Sequence, residues 1–449
     1  MIRLFSIQNF KSILETRVDF SYAEGKAPPA STTSETLPFL EDGKSKTDRV
    51  VPVLAIYGAN ASGKSNLIQA FQVFQTLLRH GIAGIYQPNK LNRQFAATQF
   101  AVDVMVQDGT FCSYAIAYNE GAIVHEELVR HATGSKEKDD KVVFRLCSGD
   151  GVLAKTMIPT ADFSGLVTDD YPAERLDAAI RVECSDAEGH QIRPFLWCLV
   201  RSFAGLSQTS VLLWRELMER LYVSSRNEFL LSQGIDFLAG DDTDSSRQKA
   251  MDEIAVLLRK FDFGIQNMSM IRQKLPSQAG DGCHVPEGSI ICRRERDVVV
   301  DQITSRHVDV DGRLVPFNFM TDESEGTKVI AGLLGICLWA MKTGRTVVVD
   351  ELDRSLHPLI LIELVKLFKL KKYNRKGAQL IFTAHDPTLM EDSLMRLGEI
   401  GIVNNGLHSG TTLKRLTDLK KEGMDIRNVH NFRKMYMDGF FAGIPYPTM

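Results

Sequence analysis

Gly58-Ala59-Asn60-Ala61-Ser62-Gly63-Lys64-Ser65 satisfies G-x-x-x-x-G-K-[ST], a spacing suited to holding phosphate. Its two glycines let backbone amides turn toward one point, and a helix beginning there adds the positive end of its dipole. Lys64 is placed to reach β- and γ-phosphates, and Ser65 to set its hydroxyl on Mg²⁺. Asn60, Ala61 and Ser62 complete the loop, and Asn66 follows it into the helix. The apolar run Val51 to Tyr57 predicts a buried strand feeding the loop, and Leu67 to Leu78 predicts a helix leaving it. This setting points to binding of ATP or GTP.

A second group of residues supplies hydrolytic chemistry. Thr346-Val347-Val348-Val349-Asp350-Glu351 reads as a buried strand ending in two carboxylates. Asp350 is suited to Mg²⁺, and Glu351 to orienting and deprotonating an attacking water. Asp322-Glu323-Ser324-Glu325-Gly326-Thr327 stands before the preceding helix, where Ser324 and Gly326 could present a hydroxyl and amides to an anion. An ordinary helix cap has the same letters. His385 follows the strand Gln379 to Thr383, at the rim where parallel sheets bind ligands. His357, in Ser355-Leu356-His357-Pro358, is expected in a loop at a subunit contact. The order of phosphate loop, Ser-Gly element, helix, acidic strand and histidine resembles the layout of ABC-class ATPases.

These motifs need a sizeable scaffold, and 449 residues with 44% apolar and 24% charged content supply one, predicting two lobes. A net charge of −3 argues against a protein that coats nucleic acid, while leaving room for a local basic groove. The seven cysteines are scattered without a C-x-x-C pair, which favours a reducing cytoplasm over a disulfide framework. Cys283-His284 with Cys292 is the nearest approach to a metal cluster. No stretch is long and apolar enough for a signal peptide core or a membrane span, so a cytoplasmic protein is expected.

Met1 to Phe20 reads as two strands joined around Asn9-Phe10-Lys11-Ser12, followed by a solvated loop over 21–50. Thr98 to Val106, Thr110 to Tyr118 and Gly121 to His131 alternate as an antiparallel meander. Residues 134–190 are polar and irregular. Phe195 to Leu231 and Ser246 to Phe261 have helical spacing, and strands return at Val298 to Ile303 and His307 to Val310. Beyond these, Val329 to Met341, Thr346 to Val349, Pro358 to Phe368, Gln379 to Thr383 and Ile400 to Val403 alternate helix and strand. The division predicted is an N-terminal ATPase lobe over 1–133, an irregular and helical insertion over 134–290, and a C-terminal ATPase lobe over 291–449.

With those residues in view, the chain resembles ABC-class ATPases of the RecF/SMC/OLD group, and within it the restriction-linked and abortive-infection ATPases labelled RloA or AbiL. The marks are Gly58 to Ile68, Glu323 to Thr327, Asp350 to Pro358, Gln379 to Asp386, and the tail Tyr436 to Pro445. The likeness covers half to two-thirds of the chain and thins across 134–290. It implies an α/β fold, an ABC-type head with an antiparallel β lobe, a parallel α/β lobe and a short helical insertion. It implies Mg·ATP held between two heads of a homodimer, the phosphate loop of one facing Ser324 and Gly326 of the other, with Lys11 near the nucleotide. It also implies a role in bacterial antiphage defence beside a separately encoded effector nuclease of Toprim or HNH type, in the manner of a toxin–antitoxin pair. The signature departs from the transporter form Ser-Gly-Gly-Gln, which implies slow turnover. The Mg²⁺-binding glutamine falls among Gln87, Gln94 and Gln99. No paired-acid pattern follows His385, so no nuclease activity is expected from this chain. Alternatives are a RecF-like DNA-binding ATPase, for which Lys371, Lys372, Arg375 and Lys376 form a basic cluster, and a non-hydrolysing scaffold.

Overall fold

A computed structural model describes residues 1–21, 50–106, 108–131, 140–147, 160–224, 230–241, 243–261, 263–276, 287–293, 297–354, 356–391, 394–406, 409–422 and 432–441. Strands β1 (Ile2–Phe10) and β2 (Ile13–Asp19) form a hairpin, and β3 (Val53–Gly58) feeds α1 (Lys64–His80). A meander follows in β4 (Thr98–Met105), β5 (Phe111–Tyr118), β6 (Ile123–His131), β7 (Lys141–Cys147) and β8 (Thr160–Asp162). Helices α2 (Ala173–Ala179), α3 (Phe195–Ser202) and α4 (Gln208–Met218) lead to β9 (Leu221–Ser224). Next come α5 (Leu230–Ala239), α6 (Asp244–Lys260), β10 (Asn267–Pro276), β11 (Ile290–Arg293), β12 (Asp297–Val308) and β13 (Leu314–Asn318). The short α7 (Phe319–Asp322) and long α8 (Glu325–Thr343) precede β14 (Thr346–Val349), α9 (Pro358–Lys369) and β15 (Gln379–Thr383). The last elements are β16 (Ile400–Gly406), β17 (Gly410–Arg415), α10 (Leu416–Lys421) and α11 (Phe432–Met437).

One 13-stranded sheet runs β8-β7-β6-β5-β4-β1-β2-β17-β16-β3-β15-β14-β9, and β10 to β13 make a separate four-stranded sheet. From β8 to β16 the pairing is antiparallel; from β16 to β9 it is parallel. The fold is thus α/β, with antiparallel and parallel parts that share one sheet rather than standing as two. They meet at β16, which pairs antiparallel with β17 and parallel with β3, while the β1–β2 hairpin joins β17 at Gly410 opposite Ile13.

Alternation along each strand divides the core. Leu54, Ile56, Val348 and Ile381 face a cluster containing Phe5, Phe71, Phe74 and Phe100, whereas Val53, Val347, Val349 and Phe382 face α5, α8 and α9. Burial on both faces explains why β3, β14 and β15 read as continuous apolar runs.

The middle of the chain differs from its reading as an irregular and helical insertion. Within 134–190, β7 and β8 extend the meander, and Leu221–Ser224 is a strand pairing in parallel with β14. That strand has four residues, and its apolar pattern merges with the helical periodicity just before it. The two strands expected at 298–303 and 307–310 fall on one, β12, which pairs with β10 from Asp297 to Arg306. The loop over 22–49 and the Cys283-His284 pair lie outside the described residues.

Candidate functional site

Three parallel strands, β3, β15 and β14, lie side by side, so their C-terminal ends open on one edge of the sheet. The phosphate loop leaves β3, Asp350 and Glu351 leave β14, and His385 leaves β15. Sequence separation is thereby converted into a single rim.

The loop's shape comes from its glycines and from what packs behind it. Gly63 has φ +101°, and a Cβ there would overlap Thr411 Oγ1 and approach Ser12 Oγ. A Cβ on Gly58 would stand 2.5 Å from the Val403 carbonyl and 2.8 Å from Ser62 Oγ. Ala61 takes the left-handed conformation at φ 61° and sits with Asn60 at the exposed tip. Lys64 Nζ donates to the carbonyls of Gly58 at 2.7 Å and Ala59 at 2.9 Å. Burial pushes its pKa below the ordinary lysine value, while the charges of Asp350, Glu351 and Asp353 pull it back up. Those three carboxylates therefore share the field of the Lys64 ammonium. Ser65 and Asn66 occupy the first turn of α1, where helix amides lack carbonyl partners.

Sequence reasoning missed the groups that fasten the loop. Thr411 Oγ1 donates to the Ser62 carbonyl at 2.9 Å and lies 2.7 Å from Ser12 Oγ, which accepts from Asn66 Nδ2 at 2.6 Å. The β1–β2 turn is left-handed at Asn9 and Lys11, with φ 55° and 51°. It is anchored by Lys11 N donating to the Gln87 carbonyl at 2.9 Å and by Asn89 N donating to Asn9 Oδ1 at 3.0 Å. Lys11 Nζ reaches Gln69 Oε1 on α1. A groove of about 930 Å³ opens beside this turn, lined by Lys11, Ser12, Tyr86, Gln87, Lys90 and Asn405 among others. Of the three glutamines considered, Gln87 stands at this turn, Gln94 lies in an exposed turn bonded to Asn92, and Gln99 pairs with Gln8 in the sheet.

On the acidic strand, the turn after Val349 is as tightly held. Glu351 adopts φ 50°, and its carboxylate lies 3.7 Å from His385 Nε2 and 3.4 Å from Arg354 Nη1. Asp353 Oδ2 accepts from the amides of His385 at 2.6 Å and Asp386 at 2.7 Å, fastening the histidine loop to the acidic turn. Ser324 caps α8 with its hydroxyl, accepting from Thr327 N at 3.1 Å, and Ser324 and Glu325 are exposed. Just before it, Glu323 accepts from Ser305 Oγ at 2.5 Å and lies 2.6 Å from His307 Nε2, which ties the cap to β12. His357 Nδ1 caps α9, accepting from Leu359 N at 3.2 Å.

The family model described as "AAA domain, putative AbiEii toxin, Type IV TA system" matches residues 216–391, which include Ser324, Gly326, Asp350, Glu351 and His385. The match spans less than half of the chain, and the phosphate-loop motif on β3 lies outside it. Among solved structures, the chain is similar to the SMC head domain of Thermotoga maritima, at 12% identity and TM-score 0.37, over 92% of this chain and 98% of that one. It also resembles the Pyrococcus furiosus Smc head bound to the C-terminal domain of ScpA, at 11% identity and TM-score 0.41, over 94% and 97%. A third is the recombination mediator RecF with a nucleotide, at 11% identity and TM-score 0.36, over 89% and 97%. Among curated proteins nothing matches the chain.

The side chains fit Mg·ATP. Ser62 Oγ is buried at the loop without a hydrogen-bond partner among the described residues, and Gly58 and Gly63 are packed so closely against β16 and β17 that neither position admits a Cβ. Facing the loop are one ammonium and a set of carboxylates, the pairing that a magnesium triphosphate requires. No helix among the described residues is long and apolar enough to cross a membrane.

Proposed function

We propose that this protein is the ATP-binding and ATP-hydrolysing regulatory subunit of a bacterial antiphage defence system, which dimerises on ATP and controls a separately encoded effector nuclease. The observation that carries the catalytic half is the shared edge at which Lys64, Asp350, Glu351 and His385 emerge from three adjacent parallel strands. In this reading the loop amides, with Lys64, hold the β- and γ-phosphates, and Ser65 and Asp350 hold Mg²⁺. The bound ion supplies neutralisation of phosphate charge. Glu351 orients a water and takes its proton as the water attacks the terminal phosphorus and ADP leaves. His385, against Glu351, contacts that water or the terminal phosphate. Ser324 and Gly326 are exposed or half-buried at the start of α8, as a contact completing a partner's site requires.

The defence half is supported by the family description, which names a toxin of a type IV toxin–antitoxin system. Turnover of ATP by the wild type, reduced about 10²-fold or more in Glu351→Gln while ATP still binds, is the outcome expected of the carboxylate's role. Co-purification with the neighbouring gene product, and loss of phage protection in Lys64→Ala, test the biological half. A chain that binds no neighbour and protects equally well as Lys64→Ala excludes it.

A RecF-like DNA-binding role is favoured by one observation: Lys371, Lys372, Arg375 and Lys376 are all exposed. They precede β15, at the end of the sheet opposite the phosphate loop. Duplex binding that requires ATP and weakens steeply with salt would select this reading.

A further inference from the structure

Thr383 closes β15 in the middle of the parallel part of the sheet, between β3 and β14, and is fully buried. Its hydroxyl makes two bonds to the acidic turn beside it. Thr383 Oγ1 donates to Asp350 Oδ1 at 2.5 Å and accepts from the Glu351 amide at 2.6 Å. Its carbonyl accepts from Leu352 N at 2.9 Å. One residue thus holds three consecutive residues of the turn. The direction of the hydroxyl proton is fixed, because a backbone amide can only donate and Asp350 Oδ1 accepts.

Two consequences follow for the site. One oxygen of Asp350 is committed to Thr383, which orients the carboxylate and leaves Oδ2 for other partners. Glu351 sits at φ 50°, a conformation that a non-glycine residue keeps only when its surroundings impose it, and its amide is bonded to Thr383. We propose that Thr383 is a positioning residue for ATP hydrolysis, setting through one hydroxyl both the orientation of Asp350 and the backbone turn that aims Glu351. The proposal rests on the hydrolytic reading above. Nothing in the residue type announces it: a threonine ending a buried strand is ordinary β chemistry.

The test compares Thr383→Val, which keeps shape and removes the hydroxyl, with Thr383→Ser, which keeps the hydroxyl. Thr383→Ala repeats the hydroxyl loss should the valine variant fail to fold, with folding followed by thermal melting. We expect kcat to fall about tenfold or more in the hydroxyl-less variants, with KM within about threefold, and Ser to restore kcat to within about threefold of wild type. A second readout needs no turnover: the ratio of ATP affinity with Mg²⁺ to that with EDTA, which reports Asp350. It should drop about threefold or more in the same variants and recover in Ser. A folded hydroxyl-less variant with wild-type kcat and ratio overturns the proposal, as does a Ser variant as impaired as Val. If the wild type binds Mg·ATP without hydrolysing it, the proposed function and the hydrolytic role of Thr383 both fail, and the affinity ratio alone then decides whether Thr383 orients Asp350. A wild type that binds no nucleotide overturns both.

Discussion

At the scale of single residues, the site works by holding polar groups where burial alters them. Lys64 is the clearest case. Its ammonium is drawn into the loop by two carbonyls, and burial lowers its pKa against the pull of Asp350, Glu351 and Asp353. In the proposed function the charged form is the one that grips phosphate, and a lowered pKa means that it is lost earlier as pH rises. ATP affinity should therefore weaken on the alkaline side before an ordinary lysine titrates, and the weakening should vanish in Lys64→Arg, whose guanidinium stays charged. Calorimetric titration of ATP across alkaline pH checks this.

At the scale of elements, two seams carry the load between parts of the sheet. The first joins β17 to the phosphate loop through Thr411, which is fully buried and bonded to the Ser62 carbonyl. Thr411→Val strands that carbonyl and removes one of the two partners of Ser12 Oγ, at a cost of about 1–2 kcal/mol in stability. Because the carbonyl belongs to the loop, ATP affinity should fall as well, by about threefold or more. Denaturant unfolding and equilibrium binding measure the two. The second seam joins β6 to the N-terminus of α3. Glu126, buried, accepts from Tyr114 Oη, Gln191 Nε2, Phe195 N and Leu196 N at 2.9, 2.9, 2.7 and 2.9 Å. All four partners donate, and an amide side chain would turn an NH₂ against two of them. Glu126→Gln should lower unfolding free energy by about 2 kcal/mol. Burial raises the Glu126 pKa while its four donors pull it down. The unfolded chain thus releases its proton first as pH rises from the usual carboxylate range to the raised folded value, and stability declines across that window. The glutamine variant should lack this slope.

At the scale of the whole molecule, a single sheet ties the β1–β2 hairpin to the strands that carry the candidate site. Helices cover the parallel part on both faces, and α5 crosses α8 so closely that a Cβ on Gly234 would lie 2.7 Å from the Gly332 carbonyl. The start of α8, with Ser324, is left exposed beside the small sheet. If that surface completes a second head's site, Glu351→Gln with Mg·ATP should accumulate as a dimer of twice the monomer mass. Ser324→Arg, added to it, should keep ATP binding and lose the dimer. Light scattering with and without ATP distinguishes these outcomes.

The sequence by itself determined the phosphate loop, the acidic strand and the Ser324 cap, because each is a local pattern whose chemistry depends on neighbours within a few residues. It also determined the meander and the buried parallel strands, through alternation and through unbroken apolar runs. Only the tertiary structure decided what fastens them. Thr411, Thr383, Asp353 and Glu126 act across the sheet on residues far away in the chain, and no periodicity marks a hydroxyl or carboxylate whose partners are long-range. The strand Leu221–Ser224 was hidden for a related reason: its four residues gain their identity from pairing with β14, not from a pattern of their own. Local order is written in spacing, whereas long-range hydrogen bonds exist only once the strands have been laid side by side.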